Sequence, residues 1–209
     1  MLRTAVLVSG GGTNLQALLD AKATGGIPHA ELALVIASRG GVYALTRAEK
    51  AGIPALVLTK AAEEAPETYG QRLLAVLSER RIDLVVLAGF LTILPENVIR
   101  AYDHRILNIH PSLIPAFCGR GFYGLRVHEA ALARGVKLTG ATVHYVNEIP
   151  DGGDIIAQQA VAVQPGDTPE RLQKRVMEEA EWKLLPRALE EVARQLTEGG
   201  NCHDPEQPE

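Results

Sequence analysis

The chain has 209 residues, of which 46% are hydrophobic and 22% are charged, proportions typical of a folded globular domain rather than a disordered chain. Its 25 acidic and 21 basic residues give a formal net charge of −4, which excludes the basic surface that non-specific nucleic-acid binding requires. Two cysteines, Cys118 and Cys202, are too few for a disulfide framework and favour a cytoplasmic compartment. The apolar run near the start is only about five residues long, so we expect no membrane segment.

Short β-branched apolar runs alternate with longer segments of helical periodicity, the pattern of a parallel sheet covered by helices. The runs predict five strands, at residues 4–8, 32–37, 55–58, 84–88 and 106–109. Helices are predicted between the first four strands, at residues 15–21, 42–51 and 69–80. Right-handed crossovers place the loops that follow such strands at one edge of the sheet, so we expect a ligand site there.

The second half of the chain predicts a short helix at 128–134 and two alternating strands at 137–146 and 155–163. The last helix opens with Thr168 as its cap and Pro169 at its first position, and is expected to end before Gly199. We therefore predict one doubly wound α/β domain over residues 1–197, with a mostly parallel sheet and helices on both faces. A disordered acidic tail is expected over residues 198–209.

A glycine-rich turn, S-G-G-G-T-N at residues 9–14, joins the first strand to the first helix. Glycines let the backbone approach a ligand, and the helix amino terminus attracts negative charge, so the turn predicts an anion site. The Walker lysine is absent and Leu15 stands where the dinucleotide fingerprint needs glycine, which favours a phosphate monoester over a nicotinamide cofactor. A tight turn without a ligand is the alternative interpretation.

Asn108 and His110 alternate on one predicted strand, so their side chains share a face. An amide N–H can stabilise an oxyanion, and an imidazole can exchange protons near neutral pH. Asp151, in the loop between the last two predicted strands, could lie near this pair and raise the pKa of the imidazole. A hydrogen-bonded core pair and an ordinary Asp-Gly turn are the alternatives.

Other candidates are weaker. His144 is interpreted as a strand residue that supports the site or is simply half-buried, and His128 as a helix start. Cys118 lacks an adjacent base, Trp182 is expected to pack in the core, and no spacing of histidines, cysteines or carboxylates predicts a metal site. Three glutamates are expected on a solvated helix face: Glu178, Glu179 and Glu181.

Several motifs occur in a characteristic order: the glycine-rich turn, L-A-G-F at 87–90, N-I-H-P-S-L at 108–113, T-V-H at 142–144, D-G-G at 151–153 and D-T at 167–168. Over residues 3–190 this set resembles the phosphoribosylglycinamide formyltransferases. The resemblance implies transfer of a formyl group from the co-substrate 10-formyltetrahydrofolate to the amine of glycinamide ribonucleotide, in purine synthesis. It implies no metal, and it leaves homodimer formation open.

The resemblance also implies roles for individual residues. The catalytic residues would be Asn108, His110 and Asp151. The ribonucleotide would be held through its phosphate by Gly12, Thr13 and Asn14, with Glu181 near its amine. The folate would be enclosed by Leu91, Thr92, Ile93, Leu94, Asn108, Asn147, Glu148, Ile149, Pro150 and Asp151. Asp151 would favour the imidazolium form of His110 and help to move the proton.

Three other functions stay open at the level of sequence. Methionyl-tRNA formyltransferase and formyltetrahydrofolate deformylase use the same formyl donor. The first family carries a further C-terminal domain of about a hundred residues, and the second carries a regulatory domain before the catalytic one. We expect no room for either domain in this chain. A non-catalytic module that binds a phosphorylated metabolite is the third. The joint presence of Asn108, His110 and Asp151 disfavours it.

Overall fold

A computed structural model describes residues 1–199 and has a seven-stranded sheet at its centre. In chain order the strands are β1 (Leu2–Val8), β2 (Ala30–Ala37), β3 (Ala55–Val57), β4 (Leu84–Leu87), β5 (Ile106–His110), β6 (Leu138–Tyr145) and β7 (Ile155–Ala162). The helices are α1 (Thr13–Ala23), α2 (Tyr43–Lys50), α3 (Pro66–Glu79), α4 (Glu96–Ala101), α5 (Leu125–Arg134), α6 (Pro169–Val176) and α7 (Trp182–Gly199). A π-helical turn, Met177–Glu181, joins α6 to α7.

The strands lie in the order β3-β2-β1-β4-β5-β6-β7, with β1 to β5 parallel and the last two antiparallel. Apolar side chains of α1, α2, α5, α6 and α7 pack on one face of the sheet, and those of α3 and α4 on the other. Strands β1 and β4 are therefore covered on both sides, which explains why they read as continuous apolar runs. The predicted doubly wound, mostly parallel α/β fold is confirmed.

The order of the strands creates a switch point between β1 and β4. The chain leaves β1 through α1 on one face and returns to β4 through α3 on the other. In such sheets the connections diverge at the switch point and leave a crevice at the carboxyl ends of the strands. The glycine-rich turn after β1 and the loops after β4 and β5 meet at this edge.

Two details differ from the sequence-based expectation. Helix α4 was not predicted, because six residues are too short to show helical periodicity. Helix α7 runs through Gly199 instead of ending before it, so the first two residues of the predicted tail are helical. Residues 200–209, including Cys202, lie outside the described residues.

Candidate active site

Strands β5 and β6 carry a polar stripe across an otherwise apolar sheet. Asn108 lies opposite His144 in the antiparallel ladder, and His110 lies opposite Thr142. The β6–β7 register shifts at His144, an irregularity of the kind that redirects side chains beside active sites. All four side chains thus share one face of the sheet, as strand alternation requires.

Asp151 reaches this stripe from the loop between β6 and β7, where its backbone is left-handed with a φ of 56°. Its Oδ1 accepts a hydrogen bond from Asn108 Nδ2 at 3.4 Å, and its Oδ2 lies 3.5 Å from His110 Nδ1. Oδ2 also accepts the backbone N–H of Gly119 at 2.8 Å. The structure therefore brings together the three residues that were predicted to be catalytic.

The His110 ring is buried, and its Nε2 donates to the carbonyl of Phe117 at 2.9 Å. Burial is the largest influence on this ring and lowers its pKa, and a smaller effect of His144 adds to it. The charge of Asp151 raises the pKa, as expected, but burial outweighs it. The expected effect of Asp151, which favours the imidazolium form, is therefore present but smaller than the effect of burial.

Asp151 itself is held ionised. Burial, the largest single influence, raises its pKa, but His144, His110 and the N–H of Gly119 together outweigh burial and place the pKa below its usual value. At neutral pH the site thus contains a carboxylate next to a neutral imidazole. Such a carboxylate can accept a proton without first losing one.

His144 orients the Asn108 amide. Its Nδ1 donates to the carbonyl of Tyr145 at 2.7 Å, so Nε2 is the acceptor nitrogen in the neutral form of the ring. Asn108 Nδ2 lies 3.1 Å from that nitrogen, so the amide N–H groups are directed between His144 and Asp151. Of the two interpretations of His144 from sequence, the supporting role agrees with these contacts, since the residue is fully buried rather than half-buried.

The glycine-rich turn has the geometry of an anion site. Gly12 precedes α1 with a φ of 72°, and a Cβ there would lie 2.7 Å from a methyl carbon of α2, so only glycine fits. No side chain caps α1, so its first N–H groups are left to a ligand or to water. Two guanidinium groups border the turn: Arg39 donates to the carbonyl of Ser9, and Arg47 to that of Gly11.

The side chain of Asn14 is engaged elsewhere. Its Nδ2 donates to Glu181 Oε2 at 2.6 Å, and both residues are buried. Burial raises the pKa of Glu181, and the bond from Asn14 opposes this effect. Glu178 and Glu179 are exposed, so only two of the three glutamates occupy the expected solvated face, and the π-helical turn directs the third inwards.

A cavity of about 140 Å³ adjoins the catalytic candidates. Both predicted folate segments line it, together with Asn108 and His144. Three of its apolar residues are more than half exposed: Leu91, Ile93 and Ile149. Exposed apolar residues around a cavity are typical of ligand-binding surfaces.

The remaining candidates occupy different environments. His128 is fully buried inside α5, so it does not start the helix, and burial and then His110 lower its pKa to about 4. Burial and Asp151 raise the pKa of the Cys118 thiol, in agreement with its predicted lack of a nucleophilic role. Trp182 is half-buried and lines a groove beside α1 instead of packing in the core. Within residues 1–199 there is no group of three metal-ligating side chains and no helix suited to span a bilayer.

Sequence reasoning missed two backbone groups and two side chains. The carbonyl of Phe117 and the N–H of Gly119 hold His110 and Asp151, but no side-chain pattern encodes a main-chain contact. Arg39 and Arg47 could have been found, because one lies two residues after the second predicted strand and the other lies in the next predicted helix.

Known proteins are similar to this chain in sequence and fold. Residues 2–189 match the family described as formyl transferase, so the chain belongs to the formyl transferase family. A chloroplastic phosphoribosylglycinamide formyltransferase of Arabidopsis thaliana is 41% identical over 85% of this chain, which spans only 61% of that relative's length. The phosphoribosylglycinamide formyltransferase of Haemophilus influenzae is 37% identical, with 95% of this chain and 89% of the relative aligned.

A solved structure agrees with these relatives. Glycinamide ribonucleotide transformylase 1 from Symbiobacterium toebii has a TM-score of 0.86 to this chain and 43% sequence identity, over 93% of this chain and 88% of its own. The resemblance seen in the sequence motifs is thereby confirmed.

Proposed function

We propose that the chain transfers the formyl group of 10-formyltetrahydrofolate to the amine of glycinamide ribonucleotide, in the synthesis of purine nucleotides (IMP). The observation that carries the proposal is the convergence of Asn108, His110 and Asp151 at the ligand-binding edge of the sheet, which the open glycine-rich turn shares. The names of the relatives support the choice of substrates.

The ribonucleotide phosphate would bind the backbone N–H groups of Gly12, Thr13 and Asn14, with the charges of Arg39 and Arg47 nearby. The Asn14 side chain would act on Glu181 instead, which would face the substrate amine. A raised pKa suits this glutamate to receive a proton from a substrate that arrives as an ammonium ion.

The cavity lined by residues 90–94 and 146–151 suits one end of the folate. Apolar side chains line much of it, Asn108 and Asp151 reach it, and loop backbone on two sides supplies hydrogen-bonding groups for a flat heterocycle. Its volume of about 140 Å³ accommodates only part of a folate. The rest would lie across the exposed apolar rim of Leu91, Ile93 and Ile149.

The amine nitrogen would attack the formyl carbon directly, and the carbonyl electron pair would move to the oxygen. Asn108 would donate to this oxyanion, and the oxygen would replace the carbonyl of Phe117 as acceptor for His110. Asp151, through water, would relay the proton of the attacking nitrogen to the folate nitrogen as the C–N bond breaks. The products would be the formylated ribonucleotide and tetrahydrofolate, with no covalent enzyme intermediate.

Steady-state formylation of glycinamide ribonucleotide tests the proposal. We expect Asn108→Ala, His110→Ala and Asp151→Asn each to lower turnover by roughly 10²–10⁴ while circular dichroism shows an intact fold. Asp103→Asn is a matched control, because Asp103 also contacts a histidine, His104, but both are exposed. Near wild-type turnover in the three variants would refute the assignment.

The other candidate functions are distinct outcomes of the same assay. Hydrolysis of the formyl donor without ribonucleotide would indicate a deformylase. Binding of ribonucleotide without turnover would indicate a binding module. The single domain over residues 1–197 and a cytoplasmic location stay predictions from the sequence.

A further inference from the structure

We infer that Ser9 couples the two substrate subsites, by fixing the folate-side segment 90–94 to the glycine-rich turn. The inference rests on the proposed function, which places the ribonucleotide phosphate on the turn and the formyl donor on that segment. Ser9 would be a positioning residue, since it would act through Leu91 and contact neither reacting group.

Ser9 is the first residue of the glycine-rich turn and lies at the switch point of the sheet. It is buried, with 4% of its surface exposed. Its N–H donates to the carbonyl of Gly89 at 3.1 Å, and its hydroxyl oxygen accepts the N–H of Leu91 at 2.9 Å. The hydroxyl also lies 2.7 Å from that of Ser38, at the end of β2. One side chain thus joins the ends of β1 and β2 to the loop after β4.

In the described part of the chain, the hydrogen bond from Leu91 to Ser9 is not backed by other hydrogen bonds of segment 90–94. Within residues 1–199 it is the only hydrogen bond that any residue of segment 90–94 makes to the rest of the protein. The side chains of Leu91 and Ile93 are largely exposed, whereas Leu94 is buried and Phe90 packs against the core. Packing thus holds the two ends of the segment, and the position of Leu91 between them depends on its bond to Ser9.

The main chain of Ser9 is part of the turn. Its carbonyl accepts a hydrogen bond from the guanidinium of Arg39, and the next three residues are the glycines of the turn. A phosphate that orders the turn would also order Ser9 and, through it, the N–H of Leu91. Because coupling between two binding sites is reciprocal, each ligand would then strengthen the binding of the other.

Titration calorimetry with glycinamide ribonucleotide and tetrahydrofolate, which lacks the formyl group and so does not react, measures this coupling. In the wild type we expect the dissociation constant of tetrahydrofolate to fall threefold or more, on the order of one hydrogen bond, when ribonucleotide is present. In Ser9→Ala this ratio should approach one, and the constant for ribonucleotide alone should stay within about twofold of wild type. Ser9→Thr, which keeps the hydroxyl, should restore the coupling.

Ser38→Ala is the matched control, because it removes the neighbouring hydroxyl but leaves the acceptor for Leu91. We expect its coupling to match the wild type. Amide hydrogen exchange of segment 90–94 gives a readout without ligands, and exchange should be faster in Ser9→Ala than in Ser38→Ala.

The results distinguish a failure of the role of Ser9 from a failure of the proposed function. A wild type that binds both ligands, with a coupling that Ser9→Ala leaves unchanged, would overturn the role of Ser9 alone. A wild type that binds neither ligand would overturn the proposed function and the coupling together. Equal exchange in the two variants would show that the Ser9 hydroxyl does not hold Leu91.

Discussion

Asp151 and His110 are neighbours with opposite tendencies. Burial opposes charge on both, but His144, His110 and a main-chain N–H keep the pKa of the carboxyl below its usual value, whereas burial lowers the pKa of the ring. The imidazole donates to a carbonyl through Nε2, so its other nitrogen faces the carboxylate. A proton that arrives during the reaction would therefore find the carboxylate ionised and the ring stabilised as it becomes charged.

Replacing the carboxylate tests this arrangement. Asp151→Asn removes the negative charge that raises the pKa of His110, so the pKa of this ring should fall further below its usual value. A titration of the ring nitrogens by NMR measures the shift, with Asp103→Asn as the control. An unchanged or higher pKa would contradict the geometry.

The Asn108 amide depends on a second histidine. His144→Phe keeps a ring but removes the acceptor of Asn108, so the amide should rotate away from its present orientation. We expect kcat to fall on the order of 10²-fold while the KM for ribonucleotide stays unchanged. Steady-state kinetics measure both. The same change at His29, which binds Glu190 in another part of the fold, should leave kcat unaffected.

At the scale of elements, the loop between β6 and β7 places Asp151 by folding close against β6. Gly153 makes this possible, since a Cβ at that position would lie 1.9 Å from the carbonyl oxygen of Tyr145. The main chain of Tyr145 cannot move aside as a flexible side chain can. The loop must therefore move away from β6 if residue 153 gains a side chain.

Gly153→Ala should consequently displace Asp151 and lower turnover by about 10²-fold. Thermal unfolding should show a smaller effect, because the loop is at the surface and its core neighbours are unchanged. Gly199→Ala, where a Cβ meets no atom of residues 1–199 within 4 Å, is the matched control. Full activity in Gly153→Ala would mean that the loop does not fix the carboxylate.

The same elements show what sequence can predict. The buried strands were found because coverage on both faces leaves only apolar residues, and Asn108 and His110 were found because strand alternation puts both on one face. The inward turn of Glu181 was not found, because a helix of ordinary period from Thr168 would keep it near the face of Glu178. A π-helical turn changes that period locally and leaves no mark in the composition.

At the scale of the whole molecule, the core beside the site contains a buried polar side chain, that of His128. His128 lies in α5, within the electrostatic reach of His110, and is fully buried. Neither of its ring nitrogens has a hydrogen-bond partner in the described part of the chain. Protonation of this ring would place an uncompensated charge in the core, so folding and protonation oppose each other.

The sign of the resulting pH dependence follows from the two pKa values of His128, about 4 in the folded chain against the ordinary 6.5 when unfolded. Between them the unfolded chain binds a proton that the folded chain does not, so the free energy of unfolding should fall as the pH drops from about 6.5 to about 4. The loss from this residue is on the order of 2 to 3 kcal/mol. The contribution of Asp151 is separate, because its lowered pKa stabilises the fold above its ordinary 3.8 and is lost only in more acid solution.

In His128→Leu the free energy of unfolding should therefore change less between about pH 6.5 and about pH 4. Its change below pH 3.8, to which Asp151 contributes, should stay the same. Urea denaturation from about pH 7 to about pH 4 measures it. His104→Asn is the control, because His104 is exposed and asparagine tolerates its left-handed backbone. Part of the dependence should remain in His128→Leu, since burial lowers the pKa of His110 as well. If His128→Leu and His104→Asn kept the same slope as the wild type, the buried ring would not be the group that opposes protonation.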